Sequence, residues 1–417
     1  MDLVVRNARV PDGGGTVDIG VEGGAIVAVK PSVPGRGETE IDAGGCLVLP
    51  SFVEPHVHLD KAFLAERMPE SKTIQEARER IREAKKGFTA EDIAARARRA
   101  LRLAVAGGVT FVRTHVDVDG TSGLTGVRAL AKVKKEFEGV VDLQVVAFPQ
   151  EGILRSPGVS ELLARALEEG ADLLGGIPET ETSQESMDAH TDLVTKMSSE
   201  LGVDVDCHCD VNPATAAVER FAERVGALGL GGRATASHLI SLAYMDDARA
   251  AATIGLIRRA GLNVVTNPCT AMVSGFTKAP PLGRGVTRIK ELLRAGVNVS
   301  YGLDNLVDPY NPFGDFDPLR NGWLLAYEGQ LNSSEDFASV LRMDTYNAAR
   351  TMRLEGYGLS PGGRADFNVL DAETPRECLR RRTVARFVVK KGAVLYENEV
   401  SSVPGPSAPA SWSRPVP

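Results

Sequence analysis

The sequence predicts an α/β fold, a TIM (β/α)8 barrel carrying a small β-sandwich domain built from the N- and C-terminal segments. Three observations predict it. Over about 300 central residues, Val- and Ile-rich runs alternate eight times with helical patterns, the signature of βαβ units and a parallel sheet. Both ends of the chain instead show short strands between Gly, Asp and Pro turns, each stretch too small to close a core alone. Five of the six histidines fall at predicted strand ends, where a barrel of this kind carries its active site. A doubly wound sheet is the runner-up, but eight regular units and a split β region favour the barrel.

At the N-terminus the strands are Leu3–Val10, Thr16–Val21 and Ala25–Lys30, read as a small antiparallel sheet. The stretches 365–370 and 385–395 repeat that texture. The barrel strands follow from Ser51–His58 through Val109–His115, Val141–Phe148, Asp172–Ile177, Val203–His208, Ala234–His238 and Leu262–Thr266 to Val297–Leu303. Thr73-x-x-Glu76 and Thr89-x-x-Asp92 are capping-box-like helix starts. After the second, Ile93, Ala97, Ala100, Leu101 and Ala104 recur at helical spacing. Further helices are expected over 160–169, 192–201, 215–228, 246–260, 289–295 and 334–352. The implied division is 1–49 plus 359–400 for the β-sandwich domain, 50–358 for the catalytic barrel and 401–417 for a flexible, proline-rich tail.

Composition excludes several classes. The chain has 417 residues, 43% of them hydrophobic and 25% charged, which is ordinary for a globular protein. A net charge of −7 argues against a phosphate-backbone partner, so no nucleic acid is expected. No apolar run is long enough for a membrane span, and no signal peptide is evident. Five scattered cysteines without CxxC spacing suit reduced thiols and a cytoplasmic enzyme. A homo-oligomer is compatible with the sequence but not specified by it.

The chemistry concentrates in the histidines. On a strand, His56 and His58 point to one face. His115, His208 and His238 end the second, fifth and sixth strands, and Asp304 directly follows the eighth. Three neutral imidazoles and a carboxylate suit one divalent metal ion, Zn2+ or Fe2+, at a hydrolytic site. A cation there makes hydroxide available near neutral pH. Taken singly, His115 and His238 also read as polar residues at strand ends, and Asp304 as a loop cap. His190 lies on or before a helix.

These features resemble the amidohydrolase superfamily, with His-x-His after strand one, His after strands five and six, and Asp after strand eight. Within it the chain is similar to the cytosine deaminase-like subgroup, through Phe52–Asp60, Val112–Asp117, Val141–Ile153, Cys207–Asp210, Ala234–His238, Asn267-Pro268 and Asp308–Gly314. The resemblance implies His56, His58, His208 and Asp304 as metal ligands. It makes His238 and Asp304 catalytic, His238 beside the reacting centre and Asp304 as proton acceptor. Gln150 would hydrogen-bond a pyrimidine-like ring, with Asn305 and Tyr310 as further substrate-binding positions. Gly175-Gly-Ile-Pro-Glu179 has no lysine to bridge a second metal, which implies a single ion.

Departures from the subgroup bear on the substrate. Val211 stands where cytosine deaminases carry a proton-shuttling glutamate, Asn305 replaces a carboxylate, and Tyr310 replaces a tryptophan. General acid–base help of that kind contributes about 10²–10⁴ in rate, so cytosine itself is in doubt. The run His56-Val-His-Leu-Asp-Lys61 resembles instead the N-isopropylammelide isopropylaminohydrolases, which remove an alkylamine from a triazine. Lys61 is therefore a candidate catalytic acid, if the cation depresses its pKa. The plain alternative is a surface lysine at the barrel mouth. Asp210 is a second candidate acid. Cys207 and Cys209 should be core fillers, Cys269 a residue that lines the pocket, and Arg380–Arg382 a solvated face of the β domain.

The function expected is a metal-dependent hydrolase of a C–N bond in a small nitrogen heterocycle, a deaminase-like aminohydrolase releasing ammonia or a small amine. One alternative is ring-opening hydrolysis of a cyclic amide or imide. Another, of a different class, is a catalytically inactive binding protein.

Overall fold

A computed structural model describes residues 1–11, 13–274 and 285–399 of the chain; the tail expected at 401–417 lies outside them. At the N-terminus, β1 (Leu3–Arg9), β2 (Thr16–Glu22) and β3 (Ala25–Lys30) form an antiparallel meander. Contrary to a purely antiparallel expectation, β4 (Thr39–Asp42) joins β1 in parallel, because the crossover from β3 returns the chain to the start of β1. A second sheet pairs β5 (Val48–Pro50) with β14 (Phe367–Leu370), followed by β15 (Ala385–Lys390) and β16 (Ala393–Glu397). The run expected as one strand over 385–395 is thus a hairpin, turned at Lys391-Gly392, where both residues have φ near +50° to +80°. Leu3, Val5, Ile19 and Val21 of the first sheet share a buried cluster with Val48, Phe367, Val369 and Val389 of the second. Two sheets facing each other across one apolar layer make the β-sandwich.

Between them lie β6 (Phe52–Val57), β7 (Val109–Asp117), β8 (Asp142–Phe148), β9 (Leu173–Gly176), β10 (Val205–Cys209), β11 (Ala234–His238), β12 (Asn263–Thr266) and β13 (Asn298–Tyr301). They pair in parallel in chain order, as eight βα units require. The cylinder closes where Val57 bridges Asp304. There His58 N donates to Asp304 O at 3.0 Å and Asp304 N to His56 O at 2.8 Å.

The helices follow from their caps and apolar faces. Thr73 Oγ1 accepts from Glu76 N, and Thr89 Oγ1 from Asp92 N. The first is half of a capping box, since Glu76 turns its carboxylate to Lys72 N instead of Thr73 N. Ile93, Ala97, Ala100, Leu101 and Ala104 are all buried on helix Ala90–Ala106, as the spacing requires. The helix expected over 334–352 is broken into Ser334–Met343 and Tyr346–Thr351, because Asp344 turns inward and its carbonyl accepts Val53 N at 3.0 Å. Four α-helices among the described residues escaped the pattern, Thr125–Glu136, Pro268–Ser274 and two that open on a Pro at N1 behind an Asp or Thr cap, Pro318–Glu328 and Pro375–Arg381. Pro375–Arg381 carries Arg380 and Arg381 and buries Cys378 and Leu379 in the barrel's apolar cluster; the arginine run is exposed at Arg380 and Arg382 as expected, but it ends a helix docked on the barrel instead of lying on a sheet of the β-sandwich. No helix among the described residues is long and apolar enough to cross a membrane.

Candidate active site

The seam between β6 and β13 creates the site. With Val57 paired to Asp304, His56 and His58 flank the bridge and direct their side chains to the Asp304 carboxylate. Asp304 Oδ1 lies 3.2 Å from His58 Nε2 and 3.5 Å from His56 Nε2. From β10, His208 brings its Nε2 to 3.2 Å from that of His58. All four residues are buried, and their ligand atoms lie within 4.8 Å of one another.

This cluster fits a divalent cation. Nitrogen ligands near 2.0–2.1 Å from a tetrahedral ion stand about 3.3 Å apart, close to the spacings seen. The protonation states also fit. Ser237 Oγ donates to Asp206 Oδ1 at 2.9 Å, so at its 3.0 Å contact with His56 Nδ1 it must accept. Nδ1 therefore carries the proton, and His56 Nε2 is left bare, buried and without a hydrogen-bond partner among the described residues. Asp206 is in turn held by Arg113 at 2.9 Å, completing a relay that fixes one metal-facing tautomer. Burial lowers the pKa of His58 to about 3 and carries that of His208 well below the ordinary value, so both are neutral, as ligation requires. Burial alone would raise Asp304, but the surrounding imidazoles, His238 foremost, outweigh it and keep the carboxylate ionised.

His238 takes a left-handed backbone (φ 77°) at the end of β11, with Nδ1 4.0 Å from Asp304 Oδ2 and 3.3 Å from Asn267 Nδ2. Burial depresses it to about 3, again a neutral imidazole. His115 does not join the four. Because β7 continues to Asp117, it sits inside the strand behind His56, ring centroids 4.1 Å apart, and faces Asp206. His190 is buried on helix Gln184–Leu201, where it pairs with Glu181 at 2.9 Å and accepts Ile177 N.

Above the cluster opens a cavity of about 300 Å3 lined by His58, His208, His238 and Asp304 together with Gln150, Val211, Asn305 and Tyr310. Ile74 and Arg78, from helix Ile74–Lys85, close one side. Asn305 is partly committed, donating to Asp308 at 2.8 Å and accepting from Thr270 at 3.2 Å. Burial pushes the Tyr310 phenol up to about 12, so it stays protonated. Cys269 does not line the cavity; its thiol, pushed up to about 12 by burial, donates to Asn321 instead. Asp210 is occupied by Ala217 N, Thr215 Oγ1 and Ser241 Oγ, so it anchors the loop before helix Ala217–Ala227. Two larger clefts, of about 640 and 600 Å3, lie beside Cys46 and Trp323, far from the histidines.

Lys61 departs furthest from expectation. It is completely buried, with Nζ 2.5 Å from Asp117 Oδ1 and 3.3 Å from Gln150 Oε1. Burial by itself would lower its pKa, but Asp117 and Asp60 outweigh it and the net shift is upward, opposite to the depression a proton donor needs. Lys85 also pairs with Asp117 and with Asp119, so this is a closed network of buried charges. Glu54, Asp206 and Ser237 also serve the site, although they belong to no metal-ligand motif in the sequence. Glu54 accepts His56 N and Leu303 N, tying β6 to the chain after β13. Glu54 and Asp206 each stand two residues before a ligand, so the alternation that paired His56 with His58 places them on the same face.

Comparison with known proteins agrees with this geometry. The sequence pattern of the Amidohydrolase family matches residues 39–396. The chain is 30% identical over 413 residues to an N-isopropylammelide isopropyl amidohydrolase of Pseudomonas sp. strain ADP, covering 96% of this chain and 98% of that one. It is 29% identical to a pterin deaminase of Rhizobium rhizogenes, over 94% of this chain and 93% of that protein. Among solved structures, a 5-methylcytosine deaminase of Klebsiella pneumoniae liganded with 5-fluorocytosine superposes with a TM-score of 0.92 and 33% identity, covering 97% of this chain and 100% of the other.

Proposed function

The chain belongs to the amidohydrolase family, and on that premise we propose that it is a metal-dependent aminohydrolase that cleaves a C–N bond of a small nitrogen heterocycle, releasing ammonia or a small amine. The observation that carries this reading is the meeting of three imidazoles and an ionised carboxylate at the floor of a cavity that also presents a carboxamide, Gln150. In this reading residues 50–358 are the catalytic domain, and 1–49 with 359–400 the β-sandwich domain.

His56, His58, His208 and Asp304 would hold one divalent ion, Zn2+ or Fe2+; strand β9 ends in Gly175-Gly176 with no lysine to bridge a second. Such an ion supplies Lewis-acid polarisation and a nucleophilic hydroxide near neutral pH. The remaining work falls to the side chains. Asp304, ionised and 4.0 Å from His238, accepts a proton from the attacking water and returns it to the leaving nitrogen. His238, neutral, hydrogen-bonds the oxygen that adds to the ring carbon. Gln150 fixes the ring in the cavity, with Asn305 and the Tyr310 phenol against its edge. Lys61 does not serve as the acid, because its paired carboxylates hold the proton on it.

The relatives' substrates, an alkylamino-triazinone, a pterin and a methylated cytosine by their names, support an amino-substituted ring. Val211 at the cavity wall offers no proton relay, which speaks against cytosine itself. The scattered free thiols support a cytoplasmic location.

The test is product analysis of the metal-loaded protein on aminopyrimidines, aminotriazines and aminopterins. Release of ammonia or amine with the ring closed is expected. A new carboxylate without ammonia would replace this reading with cyclic amide hydrolysis, and no product from any ring would overturn it.

A further inference from the structure

Gln150 lines the cavity with one end of its carboxamide already committed. Its Oε1 lies 3.3 Å from Lys61 Nζ, and its Nε2 makes no hydrogen bond among the described residues. An ammonium group has three donors and no acceptor, so the atom that meets Lys61 must be the amide oxygen. The orientation is therefore set by chemistry, where an isolated glutamine is free to flip. Lys61 cannot swing away: it is fully buried, its Nζ is 2.5 Å from Asp117, and the ring of Phe148 lies 5.7 Å beneath it. Asp117 is itself locked by Lys85. The backbone of Gln150 is fixed as well, through Gln150 N to Phe148 O at 3.0 Å.

We infer that Lys61 is a positioning residue that turns the Gln150 carboxamide so that only its N–H groups face the cavity. Gln150 is then a pure donor. The site selects a ring bearing a carbonyl oxygen or an unprotonated ring nitrogen opposite Gln150, and it rejects a ring presenting an amino group or N–H there. The inference deepens the proposed aminohydrolase reading and rests on it for the kind of ligand. It differs from a proton-donating role because Lys61 acts through Gln150 and never touches the reacting atoms.

The test compares two rings at binding, before any turnover: pyrimidin-2-one, which presents a carbonyl, and 2-aminopyrimidine, which presents an amino group, with ammonia release monitored so that only the intact ring is counted. Dissociation constants are measured on the metal-loaded protein. The parent should prefer the carbonyl ring by about tenfold or more. Lys61→Met frees the amide to flip, and the ratio should fall towards one. Lys61→Arg, which also only donates, should keep it. Gln150→Glu leaves the Lys61 pair and the fold intact but points a carboxylate oxygen into the cavity, and the preference should invert. A parent without the preference, or a Gln150→Glu protein that keeps the parent ratio, would overturn the inference even if Lys61→Met fails to fold. Failure of the aminohydrolase reading registers separately, as no ammonia or amine from the reactive panel.

Discussion

Val57 and Asp304 pair across the seam of the barrel although 246 residues of chain separate them, and that single bridge brings a His-x-His run and a loop aspartate to one point. His208 reaches the same point from β10 on the opposite arc, its Nε2 3.2 Å from that of His58. Removing it should abolish both metal and turnover. For His208→Ala, metal analysis should find the ion lost and product release should fall to background; a variant retaining a full equivalent of metal would remove His208 from the ligand set.

Ser237 carries a finer prediction. It accepts from His56 Nδ1 and donates to Asp206, so Ser237→Ala leaves the fold of β11 intact but frees the imidazole to change tautomer. Loss of such an outer partner weakens metal binding by about 10–100-fold, read by competition with a chelator of known affinity. Unchanged affinity would mean that the relay does not set the tautomer.

Val211 tests what limits the substrate. It faces the cavity where a carboxylate could reach the ring. Val211→Glu should gain cytosine deamination, by up to about 10²–10⁴ if the new group transfers protons. An ammonia assay that shows no gain in a folded, metal-loaded variant would locate the restriction elsewhere, at Asn305 or Tyr310.

Glu328 sets a pH dependence of stability. Burial pushes its carboxyl up to about 8, and its Oε1 has no hydrogen-bond partner among the described residues. Because the folded-state value lies above the ordinary 4.5, the folded chain holds this proton more tightly than the unfolded one. The group's contribution is fully present below about pH 4.5 and is lost as pH rises towards 8. Glu328→Gln removes that dependence. Its melting temperature should match the parent near pH 5 and exceed it by about 2 °C or more near pH 8.5; a difference independent of pH would contradict the assignment.

Much of this was legible in the chain because both periodicities are strong. Alternation placed His56 and His58 on one face, and the 3.6-residue spacing of Ile93, Ala97, Ala100 and Ala104 matches the buried face of its helix. What the sequence hid were relationships that exist only after closure. The Lys61–Asp117 pair joins residues 56 apart, and its carboxylate raises the lysine's pKa and holds the proton on it. Likewise, alternation puts Asp206 on the ligand face, but nothing local marks it or Ser237 as a partner of His56, since the three lie on three strands, β6 on one arc of the barrel and β10 and β11 on the other. The break at Asp344 was hidden for the same reason, its cause being a carbonyl needed by Val53.

The central claim is that His56, His58, His208 and Asp304 hold one divalent ion on which hydrolysis depends. Metal content and ammonia or amine release, measured on the same preparation before chelation, after chelation and after adding back Zn2+ or Fe2+, test it most directly. The expected result is one equivalent of metal per chain, with turnover lost on chelation and restored on addition. A chain that binds no metal, or one whose turnover survives complete removal of the ion, would contradict it.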